Sequence, residues 1–167
     1  MILLTNNQPQ NEEENEQHFS NEDFVLPGFN LTEECVKEIL FMVDISGSMS
    51  IEDVQDCFSE IQSALIQFNG RIKGKIGFFD VIVHEVYDID GDTDLKTIYP
   101  HGRGGTDFNA VFNYALSLDN PPSSIIILTD GRCNFPKESA ANNVPVLWII
   151  NNEQITPPWG KVIRLIR

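Results

Sequence analysis

The sequence is short of basic residues. Only 11 Lys and Arg stand against 25 Asp and Glu in 167 residues, giving a formal net charge of −14. Binding a phosphate backbone requires a basic face, so nucleic acid is a poor partner and a cation or a basic protein surface fits better, while ordinary solubility accounts for the charge without any partner. Part of the acidity sits in the stretch "NEEENEQ", so the rest of the chain is less extreme. Long apolar runs are also missing. None approaches the ~20 residues of a membrane-spanning helix. The opening "MILLTNNQPQNEEENEQ" has neither a basic region nor a small-residue cleavage site, and does not read as a secretory signal. A cytoplasmic location, away from membranes, is the expectation. Cysteine is sparse: Cys35, Cys57 and Cys133 lack the paired spacing of a metal site, which points to free thiols in a reducing compartment. The three histidines, His18, His84 and His101, are scattered, and "HExxH" does not occur. The nucleophile elbow GxSxG and the phosphate-binding GxxxxGK[ST] are missing too.

What is present is an alternation of strand and helix patterns. Residues 6 to about 23 are rich in Asn, Glu and Gln without apolar periodicity, so residues 1–23 are expected to form a disordered acidic tail. Residues 24–167 are expected to form one domain, a size that supports a sizeable core. Its first segment, "FVLPGFNLTEEC", is expected to pack as an arm. "EILFMVD" (38–44) is continuously apolar, as a strand buried on both faces reads. The period then changes. Ser50 and Asp53 resemble a capping box, and Val54, Phe58, Ile61, Leu65 and Phe68 line one stripe of a helix that Asn69 and Gly70 end. "KIGFFD" (75–80) and "VIVHEVYDI" (81–89) follow with almost no connection, which predicts an antiparallel pair with an edge strand. A second helix is expected over "DFNAVFNYALSL", burying Phe108, Val111, Phe112, Ala115 and Leu118. Three more strands are expected in "SSIIILTDG", "VPVLWII" and "KVIRLIR". The pattern predicts an α/β fold: a three-layer αβα open sheet, Rossmann-like, mostly parallel with one antiparallel edge strand.

In such sheets ligands sit beyond the carboxyl ends of the strands, where strand order reverses. Two apolar strands end there in aspartate, Asp44 and Asp130. After the first comes "DISGSMS", with Ser46 and Ser48 on either side of Gly47. Taken singly, such serines read as helix caps and a Gly-Gly pair as a turn. Together they suggest a hard cation. Magnesium takes oxygen ligands and keeps several waters. Hydroxyls are neutral ligands, and a cation between Asp44 and Asp130 would relieve their repulsion. Gly47 is expected to let the first loop turn without a side chain in the way. "DIDGDTD" (88–94) begins with the oxygen spacing of a calcium loop, but Gly91 stands at position four rather than six and Tyr99 replaces the glutamate at twelve. A solvated loop is the preferred reading, with calcium binding as the alternative.

"DISGSMS", "GGTDF" and "LTDG", in that order, resemble the metal-ion-dependent adhesion site of von Willebrand factor type A (VWA) domains. The resemblance spans Glu38 to Arg167. The late "PVLWIINNEQITPPWGKVIRL" is most similar to a bacterial VWA-like family. Its members often carry a metallopeptidase-like region and are similar to partners of MoxR-type AAA+ ATPases. The resemblance implies that Ser46 and Ser48 bind the metal directly, Asp44 directly or through water, Thr106 directly or through water, and Asp130 through water. Mg2+ is the expected ion, with Mn2+ or Ca2+ as alternatives. It implies a protein partner that offers Glu or Asp to the ion. Asp107 is expected either to cap a helix or to stand behind the metal ligands, and Gly104 and Gly105 to let their loop approach the metal. Arg103 interrupts the expected run of glycines. With His101 it adds positive charge beside the site, or faces solvent. A metal-dependent binding module without catalysis is therefore expected. The alternatives are a metal-assisted hydrolase, with His101 as its best candidate base, and a metal-free scaffold.

Overall fold

The computed structural model describes residues 37–67, 72–98 and 100–165. The acidic tail, the arm at 24–35, Phe68 and the helix stop at Asn69–Gly70 lie outside these residues. Six strands form one sheet: β1 (Lys37–Asp44), β2 (Ile72–Phe79), β3 (Val83–Ile89), β4 (Ser124–Thr129), β5 (Val146–Ile150) and β6 (Lys161–Arg164). Their order is β3-β2-β1-β4-β5-β6. All neighbours run parallel except β2 and β3.

The central strands are apolar on both sides because both sides are covered. Ile39, Phe41 and Val43 of β1 face helix α1 (Ile51–Gln67), with Ile126 and Leu128 of β4 beside them. Leu40, Met42, Ile125 and Ile127 face helix α2 (Phe108–Ser117). This is the three-layer α/β arrangement that the alternating pattern predicts. Helix α1 opens with a reciprocal capping box. The Ser50 main-chain N–H donates to Asp53 Oδ2 at 2.7 Å, and Asp53 N–H donates to Ser50 Oγ at 3.1 Å.

One expectation is widened and two need correction. The buried stripe of α1 is Cys57, Ile61, Ala64 and Leu65, while Val54 and Phe58 are half-buried. The expected stripe holds, because Val54 and Phe58 pack against the same core as Ile61 and Leu65, and Cys57, a small apolar side chain, widens it together with Ala64. Strand β2 starts three residues earlier than predicted, because Ile72 is itself buried and pairs with Lys37. Val81 and Ile82 belong to the turn and not to β3. Asp80 N–H donates to the Ile82 carbonyl at 3.0 Å, which closes that turn and leaves both side chains exposed.

The segment between β4 and β5 has no α-helix, only a 3-10 turn at Glu138–Ala141. Aromatic packing covers the α2 face there. Trp148 lies 5.2 Å from Phe108, 5.2 Å from Phe135 and 5.4 Å from Trp159, ring centre to ring centre. Edge-to-face pairs of this kind add to the stabilisation that burial gives. Trp159 Nε1 donates to the Pro136 carbonyl at 2.7 Å and fastens the late loop to the earlier one.

Candidate metal centre

The sheet reverses its order between β1 and β4. From β1 the chain crosses by α1 to β2 on one side, and from β4 it continues to β5 on the other. The two strands pair in parallel, so their carboxyl ends lie side by side. Asp44 ends β1, and Thr129 and Asp130 end β4. All three are buried.

A carboxylate can stay buried only if donors meet it. Thr129 Oγ1 donates to Asp44 Oδ2 at 2.5 Å, and Ser46 N–H donates to Asp44 Oδ1 at 2.9 Å. Thr129 Oγ1 in turn accepts from Gly131 N–H at 3.0 Å, so one hydroxyl joins the first and third loops. Burial pushes the Asp44 carboxyl above its ordinary value and the charge of Asp130 adds to this, while the bonds from Thr129 and Ser46 oppose it. Ser46 is buried, Ser48 is exposed, and their hydroxyl oxygens stand 3.3 Å apart. Asp130 Oδ1 accepts from Arg132 N–H at 3.0 Å, but buried Oδ2 has no hydrogen-bond partner. Arg132 Nε lies 3.6 Å from Oδ2, a charge contact too long for a hydrogen bond.

The second loop is tied to both others. Gly47 N–H donates to the Gly104 carbonyl at 3.0 Å. Cys133 Sγ donates to the Thr106 carbonyl at 2.8 Å. Thr106 is half-buried and joins the group through its main chain. Asp107 caps α2 as expected, accepting from Asn109 N–H at 2.9 Å. His101 and Arg103 are both exposed. Of the five expected ligands, the structure therefore joins Asp44, Ser46, Ser48 and the Asp130 loop by direct bonds, and Thr106 through its backbone.

The sequence reading missed Asp80. It is 4% exposed and anchors the second loop from the end of β2. Its Oδ2 accepts from Gly104 N–H at 3.0 Å, its Oδ1 from Ile82 N–H at 3.2 Å, and its carbonyl from Asp107 N–H at 2.9 Å. His84 Nε2 lies 2.9 Å from Oδ1. Burial alone would raise the Asp80 carboxyl. The contact with His84 and the two backbone donors outweigh burial and hold it below its ordinary value. The signal was visible in the sequence: "GFFD", like "FMVD" and "ILTD", is an apolar run ending in aspartate.

Asp80 also shows which glycine matters. A Cβ at Gly104 would stand 2.8 Å from Asp80 Oδ2, whereas one at Gly47 would find its nearest neighbour at an ordinary 3.5 Å. The expectation that Gly47 is needed for space is thus corrected, and the close approach belongs to Gly104. In the third loop, Gly131 has a φ of 72°, a left-handed conformation that favours glycine.

The five expected ligands would offer only oxygen, from two carboxylates and three hydroxyls. Such a set suits a hard cation such as Mg2+. Among the described residues, no three His, Cys, Asp or Glu side chains cluster as a metal site, so this candidate depends on its hydroxyls. Buried Asp130 Oδ2 has the Arg132 charge contact but no hydrogen-bond partner, and it acts on a second buried carboxylate, so its lone pairs fit a cation.

Residues 39–166 match the family described as VWA-like domain (DUF2201). The chain belongs to this VWA-like family. Among solved structures, the VWA-like chain is similar to an aerotolerance-related membrane protein from Bacteroides fragilis NCTC 9343, with 20% identity and a TM-score of 0.47, over 68% of this chain and 67% of that one. It is also similar to the conserved hypothetical protein BatB from Bacteroides thetaiotaomicron, with 19% identity and a TM-score of 0.45, over 76% and 78% of the two chains. No curated protein matches the sequence. Among the described residues, no helix is long and apolar enough to cross a membrane.

Proposed function

We propose that this VWA-like domain is a protein-binding module that depends on a divalent cation, with Mg2+ as the expected ion and Mn2+ or Ca2+ as alternatives. One observation supports the reading: the first and third loops carry two buried carboxylates, the second loop is hydrogen-bonded to both of those loops, and Asp130 Oδ2 is buried there without a hydrogen-bond partner. When bound, the cation supplies a positive centre between the carboxylates and a coordination position for an external one. The chain's own residues do the rest. Ser46, Ser48 and Thr106 offer neutral oxygens. Asp44 and Asp130 offer negative charge. Thr129 and Asp80 hold the loops in place. The resulting surface is suited to a partner that offers a Glu or Asp side chain. A MoxR-type AAA+ ATPase is the partner class that the family resemblance suggests.

Thermal unfolding in Mg2+ and in chelator tests the cation directly. A ligand bound only by the folded state stabilises it by about 2.7 kcal/mol at a hundredfold excess over Kd. The parent should melt higher in Mg2+, and Asp130→Ala should melt at one temperature in both. Equal melting of the parent in both conditions would refute the cation site. Mg2+-dependent capture of a partner, lost in Asp44→Ala, tests the binding step.

A further inference from the structure

A groove of about 830 Å³ begins at the edge of this site and runs along α1, opposite the 95–103 segment. Its apolar lining includes Met49, Ile51, Val54, Phe58, Leu95 and Ile98. The helix residues recur at three and four, so they form one stripe, in which Val54 and Phe58 sit half-buried at the border of the core through Ile61 and Leu65 and Ile51 is exposed. Gln62 Oε1 accepts from Leu95 N–H at 3.3 Å and joins the two walls at the far end. At the near end, Ile45 and Ser50 lie beside the serine loop, and Gly102 and Arg103 beside Gly104.

The charge of the groove is the reverse of the chain's. Acidic residues outnumber basic ones 25 to 11 overall, yet none of the described lining residues is acidic. Among the described lining residues the charged ones are Lys96 and Arg103. Helix α1 itself carries Glu52, Asp53, Asp56 and Glu60, and none of them lines the groove. From Ile51 to Ser63 a helix rises about 18 Å at ~1.5 Å per residue. About six residues of extended peptide cover that length at ~3.3 Å each.

We infer that this groove is the docking channel for an extended partner segment in which apolar residues accompany acidic ones. One carboxylate of the segment reaches the cation, apolar side chains lie on Ile51, Val54 and Ile98, and further acidic groups meet Arg103 and Lys96. The inference rests on the cation-dependent reading above and names the class of partner for that site. Ile51 is 60% exposed, which a docking surface explains better than a core does.

A random peptide library displayed on phage and selected against the full chain in Mg2+ provides the probe. Selected peptides should combine Asp or Glu with neighbouring apolar residues. Ile51→Glu and Lys96→Glu should each weaken them about tenfold or more, the scale of a removed interface anchor. Both residues are exposed, and both variants should keep the parent's melting temperature and its response to Mg2+. Peptides that bind these variants as tightly as the parent would overturn the groove, and if they also release in chelator the cation reading survives alone. Peptides lost in both variants but indifferent to chelator and to Ser46→Ala would support the groove and refute the cation reading. Selection that succeeds only after Phe24, Leu26 and Phe29 are changed to Ser would assign the groove to the chain's own amino-terminal segment and overturn the partner. Failure to select any peptide would overturn it as well.

Discussion

Two regions of this molecule are rich in aspartate, and they differ in almost every other respect. The loop at 88–94 holds four aspartates in seven residues. Each of the four is exposed. Their partners are local: Asp88 pairs with Lys75, Asp90 Oδ1 accepts from Asp92 N–H and the Thr93 hydroxyl, and Asp94 accepts from Lys96 N–H. The opposite end of the sheet has Asp44, Asp80 and Asp130, one at the end of each of three strands, all buried. Strand direction separates the regions. Because β3 runs antiparallel to β2, its carboxyl end delivers the acidic loop away from the end where β1, β2 and β4 finish. A count of carboxylates therefore does not locate the site. What marks it is that charge has been taken out of water there and must be compensated.

The largest test of that contrast is Thr129→Val. The substitution keeps the shape of the side chain and removes the donor to buried Asp44 and the acceptor for Gly131 N–H. A lost hydrogen bond to a buried charge costs about 1.5–3 kcal/mol. Urea unfolding should show a loss of that size in chelator, and a loss below about 0.5 kcal/mol, the usual range for surface substitutions, would mean that the buried carboxylate needs no such donor.

Asp80→Asn should cost less, about 1–2 kcal/mol, because the amide can still accept one of the two backbone donors. Its effect should depend on pH. The folded protein holds the Asp80 carboxyl below its ordinary value, so the unfolded chain binds this proton more readily. The stabilisation is complete above the ordinary carboxylate value and is lost as pH falls through the lowered one. Unfolding free energy measured downward from neutral pH should fall less steeply in Asp80→Asn than in the parent. Parallel curves would remove Asp80 from the account.

Much of this end was legible in the sequence because the information is local. Asp44, Ser46 and Ser48 occupy one short loop, the capping box at Ser50 and Asp53 spans four residues, and apolar runs ending in aspartate mark strand ends. What escaped depends on pairs distant in sequence. Thr129 reaches Asp44 across 85 positions, and Asp80 reaches Gly104 across 24. The need for glycine at 104 arises only from that second contact, which is why Gly47 looked equally necessary. The α1 stripe was read too narrowly for a different reason: Cys57 was weighed as a thiol, whereas burial makes it a core side chain that widens the stripe. Val81 and Ile82 read as strand from their β-branched side chains, but the hydrogen bonds of Asp80 turn the chain at that point.

The smallest expected effect falls in the acidic loop, and it sharpens the contrast most. Asp92 is exposed and has more aspartates nearby in sequence than any residue of the candidate centre. If density of negative charge were what attracts a cation, Asp92→Ala should reduce the Mg2+-dependent rise in melting temperature at least as much as Asp130→Ala. Exposed charges, however, are solvated by water and screened by salt, so a cation gains little by replacing water there. Asp92→Ala should change stability by less than about 0.5 kcal/mol and leave the Mg2+ response intact. Titration of both variants with Mg2+, followed by melting at each concentration, separates the two accounts. A response that survives Asp130→Ala and disappears in Asp92→Ala would move the cation site from the buried carboxylates to the loop at the other end of the sheet.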